Sequence, residues 1–155
     1  MPTTEATSDG YALALEEARR ALEEQERAVA ELRARAGTLI AAAALAASLL
    51  GEAPQGLLGV VAVGALIGLT TAMLVVLWPR WDWRFSVAPS MIVLEYLEPP
   101  KSSLPFVHRD LAFHMERNAA VNRERLNLLV TTFRTGVLLF AIALIACVAG
   151  SLTTT

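Results

Sequence analysis

The sequence predicts an all-α integral membrane protein with three transmembrane helices, a hairpin plus one, and cytoplasmic helical extensions. Three observations lead there. The 155 residues are 55% hydrophobic, above the roughly 45–50% of an ordinary soluble domain, and the mean hydropathy is +0.49. The apolar residues gather into three runs. The basic residues stand almost entirely on one side of those runs.

Residues 1–10 are expected to be a flexible N-terminus, and the absence of a short apolar core before residue 36 gives no sign of a cleavable export signal. A helical period then begins. Leu15, Leu22, Val29 and Ala36 recur every seven residues with Ala18, Gln25 and Leu32 between them, so residues 11–36 predict an amphipathic cytoplasmic helix with a polar break at Gln25. Glu16 to Arg20, Glu23 to Arg27 and Glu31 to Arg35 are spaced four apart in the favourable order. The seam calls for a partner helix, either the chain's own 109–127 segment or another subunit; a partnerless amphipathic helix is the plainer alternative.

The first apolar run, 37–51, has only 15 residues, short of the roughly 20 that cross a hydrocarbon core. It crosses if Ala34 and Ala36 extend it and Arg33 and Arg35 reach the headgroups. "GEAPQG" then breaks the helix, and residues 56–78 supply a second span of full length. Residues 79–127 form a cytoplasmic segment, with a short extended piece at Trp81 to Val87, a short helix at 91–98 capped by Ser90, and a helix at 106–127 opened by Pro105. The third span is 128–150, followed by an outer tail at 151–155.

Of thirteen Lys and Arg, five precede the first span and seven lie between the second and third. Basic residues near a span resist translocation, so the N-terminus and 79–127 are expected in the cytoplasm, with the C-terminus outside. The thirteenth is Arg134, about 13 Å along the helix from Arg125. It either extends to the cytoplasmic headgroups or faces a polar path formed by several copies.

No catalytic residues are expected, because no nucleophile motif or glycine-rich phosphate loop occurs. No metal site is expected either: His108 and His114 are six apart and do not share a helix face. Nor are cofactors expected, and a net charge of -2 gives no bias toward nucleic acid. Cys147 has no second cysteine to pair with and serves as a small residue tolerated by lipid. Gly64 with Gly68, and Ala43 with Ala47, are small-xxx-small pairs that favour close helix packing. Asn118 and Asn122 either bond across a helix interface or touch a ligand. Trp78, Trp81 and Trp83 beside Arg80 and Arg84 match the aromatic and basic girdle of a membrane interface.

In order, the charged helix, "RAGTLIAAAALAASLLG", the span ending in "LWPRW", "FSVAPSMIVLEYLEPP", and "DLAFHMERNAAVNRERLNLL" leading into the last span resemble the transmembrane effectors of Pycsar antiphage defence, with a looser similarity to SLATT-type membrane effectors. The resemblance covers roughly Leu13 to Gly150. It implies a bacterial inner-membrane protein and a neighbouring cyclase that makes cyclic CMP or cyclic UMP upon infection. The effector then responds by oligomerising and impairing membrane integrity. It supplies no catalytic or nucleotide-contacting residues to carry over, and this chain lacks a larger separate nucleotide-binding domain. If a nucleotide binds, its phosphate needs a cation and its base a flat partner, which Arg80 or Arg84 with Trp81 or Trp83, or Arg109 and Arg117 with Asn118, could provide. The alternatives are a constitutive adaptor subunit of a membrane complex and a small pore former that needs no nucleotide.

Overall fold

The computed structural model describes residues 4–50, 56–79, 83–87, 92, 96 and 103–153, and these hold three α-helices and no strand. Helix α1 is Thr4–Leu50, α2 is Leu57–Leu77 and α3 is Leu104–Thr153.

Helix α1 begins seven residues before the expected start at Tyr11. Residues 4–10, expected in the flexible lead, are thus helical: no proline interrupts them, and Gly10 costs only about 1 kcal/mol. All three i,i+4 pairs form, at 2.5 to 3.5 Å, with Arg20 also reaching Glu17 at 2.9 Å. Their side chains are more than half exposed, so each contributes a few tenths of a kcal/mol.

Helix α2 opens after Gly56, whose φ of 74° is a left-handed conformation that a side chain would strain. Thr70 and Thr71 donate to the carbonyls of Leu66 and Ile67, both at 2.9 Å, so no hydroxyl is left unsatisfied in an apolar helix. It ends at Trp78 and Pro79. Helix α3 begins at Leu104, one residue before the expected Pro105. Proline fits this first turn because its missing N–H would have had no intrahelical partner.

The chain divides into two compact units. Unit 1 comprises 1–29 and 80–126, and unit 2 comprises 30–79 and 127–155. In unit 1 the predicted seam is buried: Leu15 and Leu22 join Leu111, Met115 and Ala119 in one core, with Val87 and Tyr96 added by the connecting segment. The partner of the amphipathic helix is thus the chain's own α3. Gln25 is buried, and its amide donates to the Ala119 carbonyl at 2.9 Å, while its Oε1 has no partner. Because the Ala119 carbonyl lies mid-helix and an orphaned acceptor is costly, Gln25→Leu is expected to leave stability unchanged or raise it by up to about 1 kcal/mol, read from thermal unfolding.

The connecting segment shows no strand at 83–87, but its burial alternates as a period of two predicts: Trp83 and Phe85 are half-buried, Val87 is buried, and Arg84 and Ser86 are exposed. Trp83 and Phe85 stack with ring centroids 5.3 Å apart. Most of the expected helix at 91–98 lies outside the described residues, as do Arg80, Trp81 and the turn at 51–55. Ile92 and Tyr96 are described. Ile92 packs against the unit 1 core, and the Tyr96 hydroxyl bonds to Asp110.

In unit 2, Gly59, Ala62, Ala65, Leu69, Met73 and Val76 form the buried stripe of α2. Gly68 faces Leu139, and Gly136 faces Met73 and Leu69, so α2 and α3 run antiparallel. Two helices are long and apolar enough to cross a membrane, α2 and α3, whose apolar 18-residue stretches have mean hydropathies of 2.5 and 2.4. Only 33% and 22% of those windows is buried, unlike the core helix of a soluble protein. Helix α1 is not a candidate span by that measure, because its apolar end is short and follows Glu31, Arg33 and Arg35.

Candidate functional site

Along one side of unit 1, α1 and α3 leave a groove of about 500 Å³. Its origin is steric. Ala14, Ala18 and Ala21 on α1 face Ala112 and Ala120 on α3, and methyl groups are too short to fill the space between two helices. The rim carries Arg109, Arg123, Glu17 and Glu116. Phe113 is 57% exposed, and the Arg109 guanidinium carbon stands 5.7 Å from its ring centroid, within range of a cation–π attraction. A flat surface and two cations therefore border one alanine-floored hollow. Such a groove can hold a planar anion, with an aromatic ring against Phe113, a phosphate at Arg109 or Arg123, and Glu116 accepting hydrogen bonds from amino or hydroxyl groups.

Arg109 is the one sequence-predicted ligand residue in this groove. Asn118 is nine residues further along, two and a half turns, so it lies on the opposite side of the helix and is buried at 4% exposure. Arg117 is exposed and lies outside the groove lining. Arg84 has an exposed side chain, and its backbone is held by Asn122: the Arg84 N–H donates to Oδ1 at 3.4 Å, and the Asn122 amide donates to the Arg84 carbonyl at 3.0 Å. Asn122 thus bonds within the protein. Trp83 stacks on Phe85 rather than presenting a free face, and its indole N–H is buried without a partner. Arg80 and Trp81 lie outside the described residues.

Phe113, Glu116 and Arg123 were not among the sequence candidates. Their signal was available, because Arg109, Phe113, Glu116 and Arg123 follow one another at intervals of four, three and seven residues along one face.

The packing residues divide similarly. Ala43 is buried, and Ala43 and Ala47 line a small hollow of about 20 Å³ in unit 2 with Phe140 and Cys147. A methyl built on Gly68 would stand 3.0 Å from Leu139 Cδ1, whereas one on Gly64 would meet nothing within 4 Å. Gly64 therefore does not serve a close contact in the protomer; Gly136 does. Arg134 is exposed, with exposed Val137 and Leu138 just beyond it on α3. Among the described residues no group of three His, Cys, Asp or Glu could hold a metal ion.

Compared with protein families, with curated proteins and with solved structures, the chain has no match in any of the three.

Proposed function

We propose that the chain is a three-span inner-membrane effector with N-terminus inside and C-terminus outside, whose cytoplasmic unit binds a cyclic pyrimidine mononucleotide in the alanine-floored groove. One observation supports the topology above all. Residues before and after α2 share the unit 1 core, Leu15 and Leu22 with Leu111 and Met115, so both lie on one side of any membrane. If α2 crosses once, the chain between residues 29 and 80 must cross a second time, and the apolar end of α1 is the only other apolar stretch there. Parity thus compensates for its shortness, with Arg33 and Arg35 at the headgroups. The charge asymmetry puts that shared side in the cytoplasm.

The ligand follows from the groove together with the Pycsar resemblance. Cyclic CMP or cyclic UMP, made by a neighbouring cyclase, offers a phosphate for Arg109 or Arg123 and a pyrimidine for Phe113. Helices α1 and α3 each contribute residues to both units. A ligand that prefers one α1–α3 packing therefore biases how the apolar faces associate. Three helices are too few to enclose a pore, so membrane damage requires several copies meeting through exposed residues such as Val60, Ile67 and Ile145.

The test is dye entry into cells expressing the protein, with and without cyclic CMP or cyclic UMP. Entry only with nucleotide is the expected result. Entry without nucleotide would support the pore former, and no entry in either case the adaptor. Arg109→Glu is expected to weaken nucleotide binding about tenfold or more, because it replaces a charge-assisted bond with a repulsion. Calorimetry on the purified protein measures that loss, and unchanged affinity would remove the groove from the account.

A further inference from the structure

Arg134 is an exposed guanidinium among exposed apolar side chains, and a charge left facing hydrocarbon is costly. What anion can reach it? Every acidic residue of the chain lies at or before Glu124, and unit 2 holds two: Glu31, which is paired with Arg35 at 2.5 Å, and Glu52, which precedes α2. Arg134 stands level with the other end of that helix. Unit 2 therefore has no carboxylate near that height that is not already paired.

Its height can be read from the helix pairing. Gly68 meets Leu139 and Gly136 meets Met73, so facing residue numbers total about 208 and Trp78 stands level with about residue 130. Trp78 is 67% exposed and closes an apolar helix, the position that interfacial tryptophans occupy. From there to Arg134 is about four residues, or about 6 Å. An extended arginine side chain covers that distance toward the headgroups. Exposed Asn127 and Thr131 lie seven and three residues before Arg134 on the same face. The Thr131 hydroxyl is spent on the Asn127 carbonyl at 2.9 Å, which leaves the Asn127 amide as the available donor.

A second cation stands at this height. Gln25 bonds to Ala119, and Ala43 and Ala47 share their hollow with Phe140, Ala143 and Cys147, so residue numbers rise together along α1 and α3 and Arg33 falls level with about residues 130 to 133. Its Nε–H is buried without a hydrogen-bond partner.

We propose that Arg134, with the Asn127 amide, binds the phosphate of an anionic phospholipid in the cytoplasmic leaflet. A zwitterionic lipid brings its own ammonium to a level where Arg33, Arg35 and Arg134 face only the Glu31 carboxylate and is disfavoured. The inference rests on the membrane reading but not on the nucleotide, and its test contains none.

The full chain in detergent is heated with phosphatidylglycerol, with phosphatidylcholine or with inorganic phosphate, and its Tm followed. Phosphatidylglycerol is expected to raise the Tm by several degrees more than phosphatidylcholine, and inorganic phosphate to have no effect. Arg134→Gln should lose at least half of that difference, Arg134→Lys should keep most of it, and Arg27→Gln, on the exposed face of α1, should keep all. Equal shifts from the two lipids, full retention in Arg134→Gln, or a matching shift from inorganic phosphate would each overturn the proposal. If Arg134→Gln does not fold, native mass spectrometry of the wild-type protein from a mixed micelle decides: preferential retention of phosphatidylglycerol supports the site, and equal retention overturns it.

Discussion

Asn122→Leu is expected to destabilise unit 1 by about 2–3 kcal/mol, the largest effect anticipated for a polar residue of that unit. Asn122 is fully buried, and both ends of its side-chain amide are used, one to accept from the Arg84 N–H and one to donate to the Arg84 carbonyl. Leucine fills the space but leaves two backbone groups without partners, at about 1–3 kcal/mol for each one that water cannot reach. The loss is expected to be local at first, since this pair fixes the Trp83 to Val87 segment against α3. Hydrogen exchange at the Arg84 amide should accelerate more than at Leu22 or Met115. Asn122→Asp keeps the acceptor, loses the donor and buries a carboxylate, so it should be no better tolerated. Wild-type stability in the leucine variant would mean that the pair is incidental.

Gly136→Leu is expected to cost about 3 kcal/mol or more by forcing α2 and α3 apart in unit 2. A methyl at this position would already stand 2.3 Å from Met73 Cε and 3.5 Å from Leu69 Cδ1. The alanine variant should lose only about 1 kcal/mol, because the end of the Met73 side chain can swing aside. Leucine adds branched atoms against Leu69 and Ala72 that cannot. Gly64→Leu should be nearly silent, since nothing lies within 4 Å. Thermal unfolding in detergent ranks the three. A Gly64→Leu cost as large as that of Gly136→Leu would contradict the packing described for unit 2.

Helix periodicity was legible in the sequence where burial obeys a simple repeat. Leu15, Leu22, Val29 and Ala36 are all buried, because a seven-residue spacing keeps side chains on one face whatever their partner turns out to be. The extent of α1 was less legible: the end of an amphipathic pattern is not the end of a helix, and no proline stands between Thr4 and Leu50. Of the GxxxG in α2, Gly68 meets Leu139 and Gly64 meets nothing within 4 Å, since spacing cannot say which face meets a neighbour. Gly136 stands fourteen residues from Gly150, the other glycine of its run, and forms no GxxxG. Nor could composition reveal the groove, which exists because alanines on two helices distant in sequence come opposite each other. Arg109 was singled out for its charge, but its pairing with Asn118 ignored that nine residues turn a helix by half a revolution.

Unit 1 forms beside a membrane only if the chain crosses it an even number of times between residues 29 and 80. Single cysteines placed at Arg27, Gln55, Arg117 and Thr154 in a Cys147→Ser background, probed with an impermeant maleimide on intact and permeabilised cells, measure this directly. Labelling of positions 55 and 154 on intact cells, with 27 and 117 labelled only after permeabilisation, is the predicted result. Position 55 protected together with 27 while 117 is labelled from outside would mean that α1 does not cross, that unit 1 cannot form in the membrane, and that the three-span effector is wrong.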